Sequence, residues 1–243
     1  CLGRSQALET KKTPMKYYLS LELLSDASFA SGDSLPGEVD LEIEYDQAGC
    51  PQLGARALKG LLREEYEHIR RSLGSIWNDE WQAAATFLFG EGGASGDREA
   101  QMHVAVARLP VPLLEALHAQ VAAGMLRPAD VLASLTTIRR QTAIDVTKGA
   151  PEHGSLRSSR VLIAGTTLFA ELFFESDPPP KALMLLTACA LGLRRAGSDR
   201  NRGRGRIKTL LHCGAIGQST TDTDFSHKQF QAFQQLLLAT QAA

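Results

Sequence analysis

Residues 161–211 read VLIAGTTLFAELFFESDPPPKALMLLTACALGLRRAGSDRNRGRGRIKTLL, and the changes of pattern inside them decide the fold. Val161 to Glu175 is dense in β-branched and aromatic residues and predicts one long or broken strand. Asp177 followed by Pro178 predicts a helix start, with the aspartate as cap and the proline in the first helical position. The helix to Leu191 is apolar nearly all round, which predicts burial. A basic, glycine-rich loop follows at once, and Arg206 to Leu211 predicts a further strand. Strand, buried helix and strand in succession are half of a two-layer core.

The other half lies upstream. Lys16 to Leu24 (KYYLSLELL) alternates as a strand with one buried face. Ser25 to Gly37 predicts a loop, and Val39 to Tyr45 (VDLEIEY) a short strand or hairpin arm. Ala57 to Leu73 places Leu58, Leu61, Leu62, Tyr66, Ile69 and Leu73 on one helical face, with Gly74 as terminator. Phe87 to Gly96 (FLFGEGGASG) ends an apolar run in a glycine-rich loop, and Met102 to Ala107 predicts a strand. Pro112 opens a helix ending at Gly124, and a shorter one follows Pro128. Thr136 to Gly154 is polar, basic and rich in turn residues. Ser226 to Gln229 fits a capping box, with Phe225 and Phe230 as its hydrophobic staple, opening a helix to about Thr240. This order predicts an α+β fold, a ferredoxin-like or RNA-recognition-motif sheet carrying insertions.

The 243 residues are 44% apolar and 22% charged, which suits a globular chain rather than a disordered one. No apolar run reaches the ~20 residues of a membrane helix, so no membrane partner is expected. Cys1, Cys50, Cys189 and Cys213 show neither a CxxC pair nor metal-ligand spacing, which argues against a zinc site or disulfide framework and favours a reducing, cytoplasmic setting. No secretory signal is expected, and residues 1–14 read as a tag or upstream leader preceding a single domain over 15–243. The net charge of −1 hides an asymmetry: Arg194 to Lys208 holds seven basic residues and one acid, leaving 19 basic and 26 acidic residues elsewhere. A basic loop on an acidic chain points to a polyanion.

Three segments carry candidate chemistry. In Ala196 to Leu210, Gly197, Gly203 and Gly205 permit close backbone approach, while Arg200, Arg202 and Arg204 offer bidentate phosphate contacts. In Leu53 to Glu67 a small-residue turn opens a helix carrying Lys59, Gly60 and Arg63, a start that favours anions. In Ile138 to Gly154, Arg139, Arg140 and Lys148 surround Ala143 and Ile144. The blander alternative for each is a solvated basic surface.

Together and in this order, the segments resemble the RAMP superfamily of CRISPR-associated proteins, most closely the repeated backbone subunit of type III effector complexes. LGARALKGLLR is similar to the family's proline-glycine-serine-leucine-lysine-glycine helix start, with Gly54, Ala55 and Arg56 replacing the proline-glycine-serine. FLFGEGGASG, RRQTAIDVTKG and GSDRNRGRGRIK resemble its leucine-phenylalanine-glycine turn, the approach to its projecting thumb and its glycine-rich loop. The resemblance implies a modified RNA-recognition fold with a helical and thumb insertion at about 108–160. Its implied partners are guide RNA, target RNA, further copies or similar RAMP subunits, and other type III effector subunits. It also implies an aspartate, after the first strand, that cleaves target RNA with a divalent metal, magnesium or manganese. Alignment from Leu58-Lys59-Gly60 puts Asp40 at that position as catalytic and metal-binding residue, with Asp33 as the alternative.

The competing readings are a structural or end-cap subunit without chemistry, the guide-processing endoribonuclease of the same superfamily, and a generic RNA-binding module. The endoribonuclease commonly uses an early histidine, and the first here, His68, falls inside the first long helix.

Overall fold

The computed structural model describes residues 15–30, 39–91, 99–142, 144–145, 150–151, 157–198, 200, 203–214 and 223–241. In chain order the elements are β1 (Tyr17–Leu23), α1 (Ala55–Leu73), α2 (Asp79–Phe89), β2 (Met102–Val104), α3 (Val111–Ala122) and α4 (Pro128–Leu135). They continue with β3 (Thr136–Gln141), β4 (Ile144–Asp145), β5 (Ala150–Pro151), β6 (Arg157–Leu162), β7 (Thr167–Phe174), α5 (Pro180–Gly192), β8 (Ile207–Cys213) and α6 (Thr223–Gln241).

The alternation of β1 decides which way the sheet faces. Leu19, Leu21 and Leu23 are buried, whereas Glu22 between them is exposed. A strand with one buried face needs a layer on that side only. That layer is α1, α2, α5 and α6, with α5 touching α1, α2, α6 and β8. Helix α5 is the innermost: Ala182, Leu185, Leu186, Cys189 and Ala190 are fully buried, as its apolar composition predicts. The sheet order is β2-β7-β1-β8, antiparallel throughout, with Leu19 opposite Ala170 on one side and Leu211 on the other. Two strand–helix–strand halves thus interleave, giving the expected ferredoxin-like fold. None of the described helices is long and apolar enough to cross a membrane.

Between β2 and β7 the chain leaves the sheet. Helices α3 and α4 lead into a separate antiparallel ribbon, β3 with β6, and a two-residue ladder, β4 with β5. Val161 to Glu175 is accordingly a broken strand, interrupted at Gly165, whose φ is +84°. The basic segment from Thr136 therefore belongs to an arm beside the sheet.

Three local expectations are corrected. Helix α5 starts at Pro180, not Pro178, and Asp177 does not cap it. Each residue before a proline is pushed from the helical region, so Pro178-Pro179-Pro180 keeps the chain extended until the last of the three. Ser226 opens no capping box, because α6 already runs at Thr223. Its buried hydroxyl instead donates to the Leu211 carbonyl at 2.7 Å and accepts from the Leu211 N–H at 2.8 Å. Phe225 lies on Tyr17 and Phe230 on Phe233, so the staple is replaced by core contacts. Val39 to Tyr45 forms single bridges rather than a regular strand. Helix α2 carries a start signal of its own in the sequence: the Asn78 side chain accepts the Trp81 N–H at 3.1 Å, and Asp79 and Glu80 occupy the first turn.

The Ser226 clip satisfies both polar groups of Leu211 on an edge strand. Ser226→Ala should lower stability by about 2 kcal/mol, the order of cost of leaving buried polar groups unpaired. The midpoint of a urea titration measures it, and an unchanged midpoint would contradict the role.

Candidate nucleic-acid interface

The glycine-rich loop is a built structure. Its two limbs pair through Ala196 N–H to the Gly205 carbonyl at 2.9 Å and Ile207 N–H to the Arg194 carbonyl at 3.0 Å. It lies on the chain leaving β1, where Ser198 N–H donates to the Ser28 carbonyl and Gly205 N–H to the Asp26 carbonyl, both at 2.8 Å. Two glycines are explained by these approaches. A Cβ on Gly197 would lie 2.4 Å from the Ser28 oxygen, and one on Gly205 would lie 2.1 Å from the Ala196 oxygen. Gly203, with φ +80°, has open space around it.

The arginines tie this loop to other segments. Arg200 pairs with Glu64 of α1 at 3.1 Å, and Arg195 donates to the Arg200 carbonyl at 2.5 Å. Arg204 donates to Ser159 Oγ of β6 at 3.2 Å. Arg139 of β3 donates through Nε and Nη2 to Asp26 Oδ2 at 3.0 and 2.6 Å, while Asp26 Oδ1 accepts the Ala164 N–H at 3.1 Å. A groove of about 320 Å³ runs between α1 and the loop, lined by Phe29, Gly60, Leu61, Glu64, Gly197 and Arg200 among others.

Lys59 does not line that groove. Its Nζ donates to the Met102 carbonyl of β2 at 2.7 Å, and burial, then the Arg63 charge, lower its pKa. Arg63 and Arg140 are exposed. The start of α1 has no side-chain cap, and the Glu44 carboxylate lies beside it: a Cβ on Gly54 would meet Glu44 Oε2 at 2.7 Å. The protein thus supplies its own anion near the helix's positive end. Asp33, Lys148 and Arg202 lie outside the described residues.

The acids of VDLEIEY do not share one solvated face. Glu42 is buried in an ion pair with Arg160 of β6, at 2.9 Å, and Glu44 Oε1 accepts from Gln52 at 3.1 Å. Asp40 is exposed, and its Oδ2 accepts from Ser158 N–H at 2.6 Å and Ser158 Oγ at 3.0 Å. The Ser158 backbone N–H, then its hydroxyl, hold the Asp40 carboxyl below the usual carboxylate range. Both bonds fall on Oδ2, so Oδ1 keeps lone pairs for another ligand. This suits a hard divalent ion that arrives with a phosphate and keeps several waters. Among the described residues Asp40 belongs to no group of three metal-ligating side chains.

One such group does exist, and residue spacing concealed it. Asp46, Cys50 and His118 bring one ligand atom each to within 4.8 Å of one another. His118 lies on α3, 72 residues beyond Asp46, so only the fold assembles the set. Asp26 was passed over likewise, as an ordinary residue in a loop after a strand.

Two outcomes follow from this geometry. Gly205→Ala should destabilise the chain by several kcal/mol, through backbone clash at positive φ, whereas Gly203→Ala should cost about 1 kcal/mol; equal melting temperatures would contradict the packing. Ser158→Ala should raise the Asp40 pKa toward the ordinary ~3.9, read by carboxyl-carbon NMR titration. Because the folded pKa is depressed, the Asp40 contribution is present above pH ~4 and lost as the pH falls through the folded value. Ser158→Ala should shrink that acid-sensitive part.

No family model matches the sequence, and no curated protein does. In three dimensions the chain is similar to a chain of the type III-B Cmr-beta complex in its apo state, with TM-score 0.56 and 14% identity, over 82% of this chain and 97% of that one. A chain of the type III-B Cmr-beta complex bound to cognate target RNA aligns with TM-score 0.60 and 13% identity, again over 82% and 97%. At these identities the likeness is one of fold, and the ferredoxin-like α+β fold expected from the sequence is the fold of this chain.

Proposed function

We propose that this chain is a guide-RNA-binding backbone subunit of a type III CRISPR effector complex and that it cleaves target RNA at Asp40. The observation that carries RNA binding is the meeting of four distant segments: Arg200 on Glu64, Arg204 on Ser159, Arg139 on Asp26, and Gly205 on Asp26. Of the residues expected to bind phosphate, Gly197 and Arg200 line the groove beside α1, and the other contacts tie the glycine-rich loop to the elements around it. The likeness to a complex that holds cognate target RNA supports the same reading.

In this proposal the guide backbone runs past Gly203, Arg200 and Arg204, with Arg63 and Arg140 adding exposed positive charge. Phosphates compete with Glu64 for Arg200 and with Asp26 for Arg139, exchanging one anion for another on the same guanidinium. The β3–β6 arm contacts the duplex of guide and target, with Lys148 as a further cation for its phosphates. Copies of this chain or similar subunits extend the groove along the guide.

At Asp40, Ser158 keeps the carboxylate ionised and directs its second oxygen to a ligand. A magnesium or manganese ion bound there together with the scissile phosphate would supply neutralisation of the charge that develops on the phosphate oxygens. Asp40 remains a carboxylate throughout, and Asp33 is the alternative residue for this role. A second reading, a structural subunit without cleavage, is favoured by one observation: no second carboxylate joins Asp40 in a metal-ligating group among the described residues.

RNA affinity should fall steeply with salt, and replacing Arg200 and Arg204 by alanine should lower the slope of log K against log salt by about 0.7 per lost contact. Filter binding with a labelled single-stranded RNA measures this; a salt-independent affinity would contradict it. In the assembled ribonucleoprotein, Asp40→Ala should abolish metal-dependent target cleavage and leave target binding unchanged. Retained cleavage would move the role elsewhere, and a wild type that binds without cleaving would favour the structural reading.

A further inference from the structure

We infer that Asp46, Cys50 and His118 form a zinc site that fastens the α3 insertion to the turn leading into α1. The three donors differ in kind: a carboxylate, a thiol and an imidazole, the mixed oxygen, sulfur and nitrogen set that a borderline cation such as zinc accepts. They lie within 4.8 Å of one another, and His118 Nε2 is already 2.7 Å from Asp46 Oδ2. Tetrahedral bond lengths to zinc require that last pair to open by about 0.5 Å.

The surroundings hold the ligands in place. Asp46 Oδ1 accepts the Ala48 and Cys50 N–H groups at 2.9 and 3.0 Å, which fixes the carboxylate and leaves Oδ2 toward His118. Gly49, between two of these residues, sits against the next element: a Cβ there would lie 2.0 Å from the Pro128 carbonyl oxygen that opens α4. The turn is therefore gripped by the insertion and cannot drift. Cys50 is 1% exposed and His118 is on the surface, so a metal enters from the His118 side and a solvent molecule completes the fourth position. On coordination the thiol loses its proton to solvent.

The site has a mechanical purpose. Helix α3 contains no fully buried residue, and the partly buried Leu114, Leu117 and Val121 are what packs it against the core. A metal bridging His118 to Asp46 and Cys50 joins it covalently in effect to the segment entering α1, whose residues Gly60 and Glu64 line the groove described above. The inference stands on this geometry, whether or not the groove binds RNA.

The test uses the whole chain, stripped with a chelator and titrated with zinc or with cobalt as a spectroscopic probe. We expect one zinc per chain by elemental analysis and a thiolate-to-cobalt charge-transfer band. Cys50→Ser should remove the band, and His118→Ala, at an exposed position, should weaken zinc binding at least about tenfold. Absence of both stoichiometric zinc and the cobalt band in the wild type would overturn the proposal and leave a hydrogen-bonded clasp only. Zinc binding unchanged in His118→Ala would overturn it too. Loss of RNA affinity with the zinc site intact would count against the groove and not against the metal.

Discussion

Asp26 is the residue on which the candidate interface depends. Its carbonyl accepts Gly205 N–H, its Oδ1 accepts Ala164 N–H, and its Oδ2 takes two bonds from Arg139. One residue just beyond β1 therefore joins the glycine-rich loop, the turn between β6 and β7, and the β3–β6 arm. Arg139 and Ala164 lie 113 and 138 residues beyond Asp26 in the chain, and the sheet alone does not bring these segments together. Carboxylate bonds to a guanidinium are stronger than neutral ones, and a bond to a backbone N–H fixes position as well as charge. Without Asp26, the loop limb and the arm would each lose the partner that sets its distance from the other.

The same contacts recast the charge asymmetry of the sequence. Seven basic residues between Arg194 and Lys208 suggest a strongly positive surface. In the folded chain Arg200 faces Glu64, Arg139 faces Asp26, and Arg204 is bonded to Ser159. Arg200 of the basic loop and Arg139 of the neighbouring arm are thus each compensated by an acid on another element. Such acids keep the guanidinium groups oriented, and under the proposed function an incoming phosphate would replace an interaction instead of creating one. Affinity then arises from the difference between two anions, which makes it sensitive to salt and to geometry.

Much of the fold was legible in the residues. The alternation of Tyr17 to Leu23 and the all-round apolar character of Ala182 to Leu191 carry long-range information, because burial requires one particular layering. Helix ends were less legible where two local rules conflict: Asp177 is a good cap, yet three successive prolines delay the helix to Pro180. Ser226 shows the opposite case, a capping pattern overridden because its hydroxyl finds Leu211 on a neighbouring strand. Site chemistry was legible by residue type but not by partner. Glycines at 197 and 205 were read as openings for phosphate, whereas close approach to Ser28 and Ala196 requires them. Asp46, Cys50 and His118 have no sequence signature, since 72 residues separate the first from the last.

In the proposed function RNA lies in the groove between α1 and the glycine-rich loop, not on the opposite face of the sheet. That face presents the exposed Phe173 and the half-buried Phe169 and His212, with His212 stacked on the buried Tyr18 at 4.7 Å, aromatic surface on which bases could stack. Photo-crosslinking of thiouridine-containing RNA to the chain, mapped by mass spectrometry, distinguishes the two. Crosslinks concentrated in residues 26–30, 57–64, 157–160 and 194–206 are expected for RNA in the groove. Crosslinks concentrated at Tyr18, Phe169, Phe173 and His212 would contradict it.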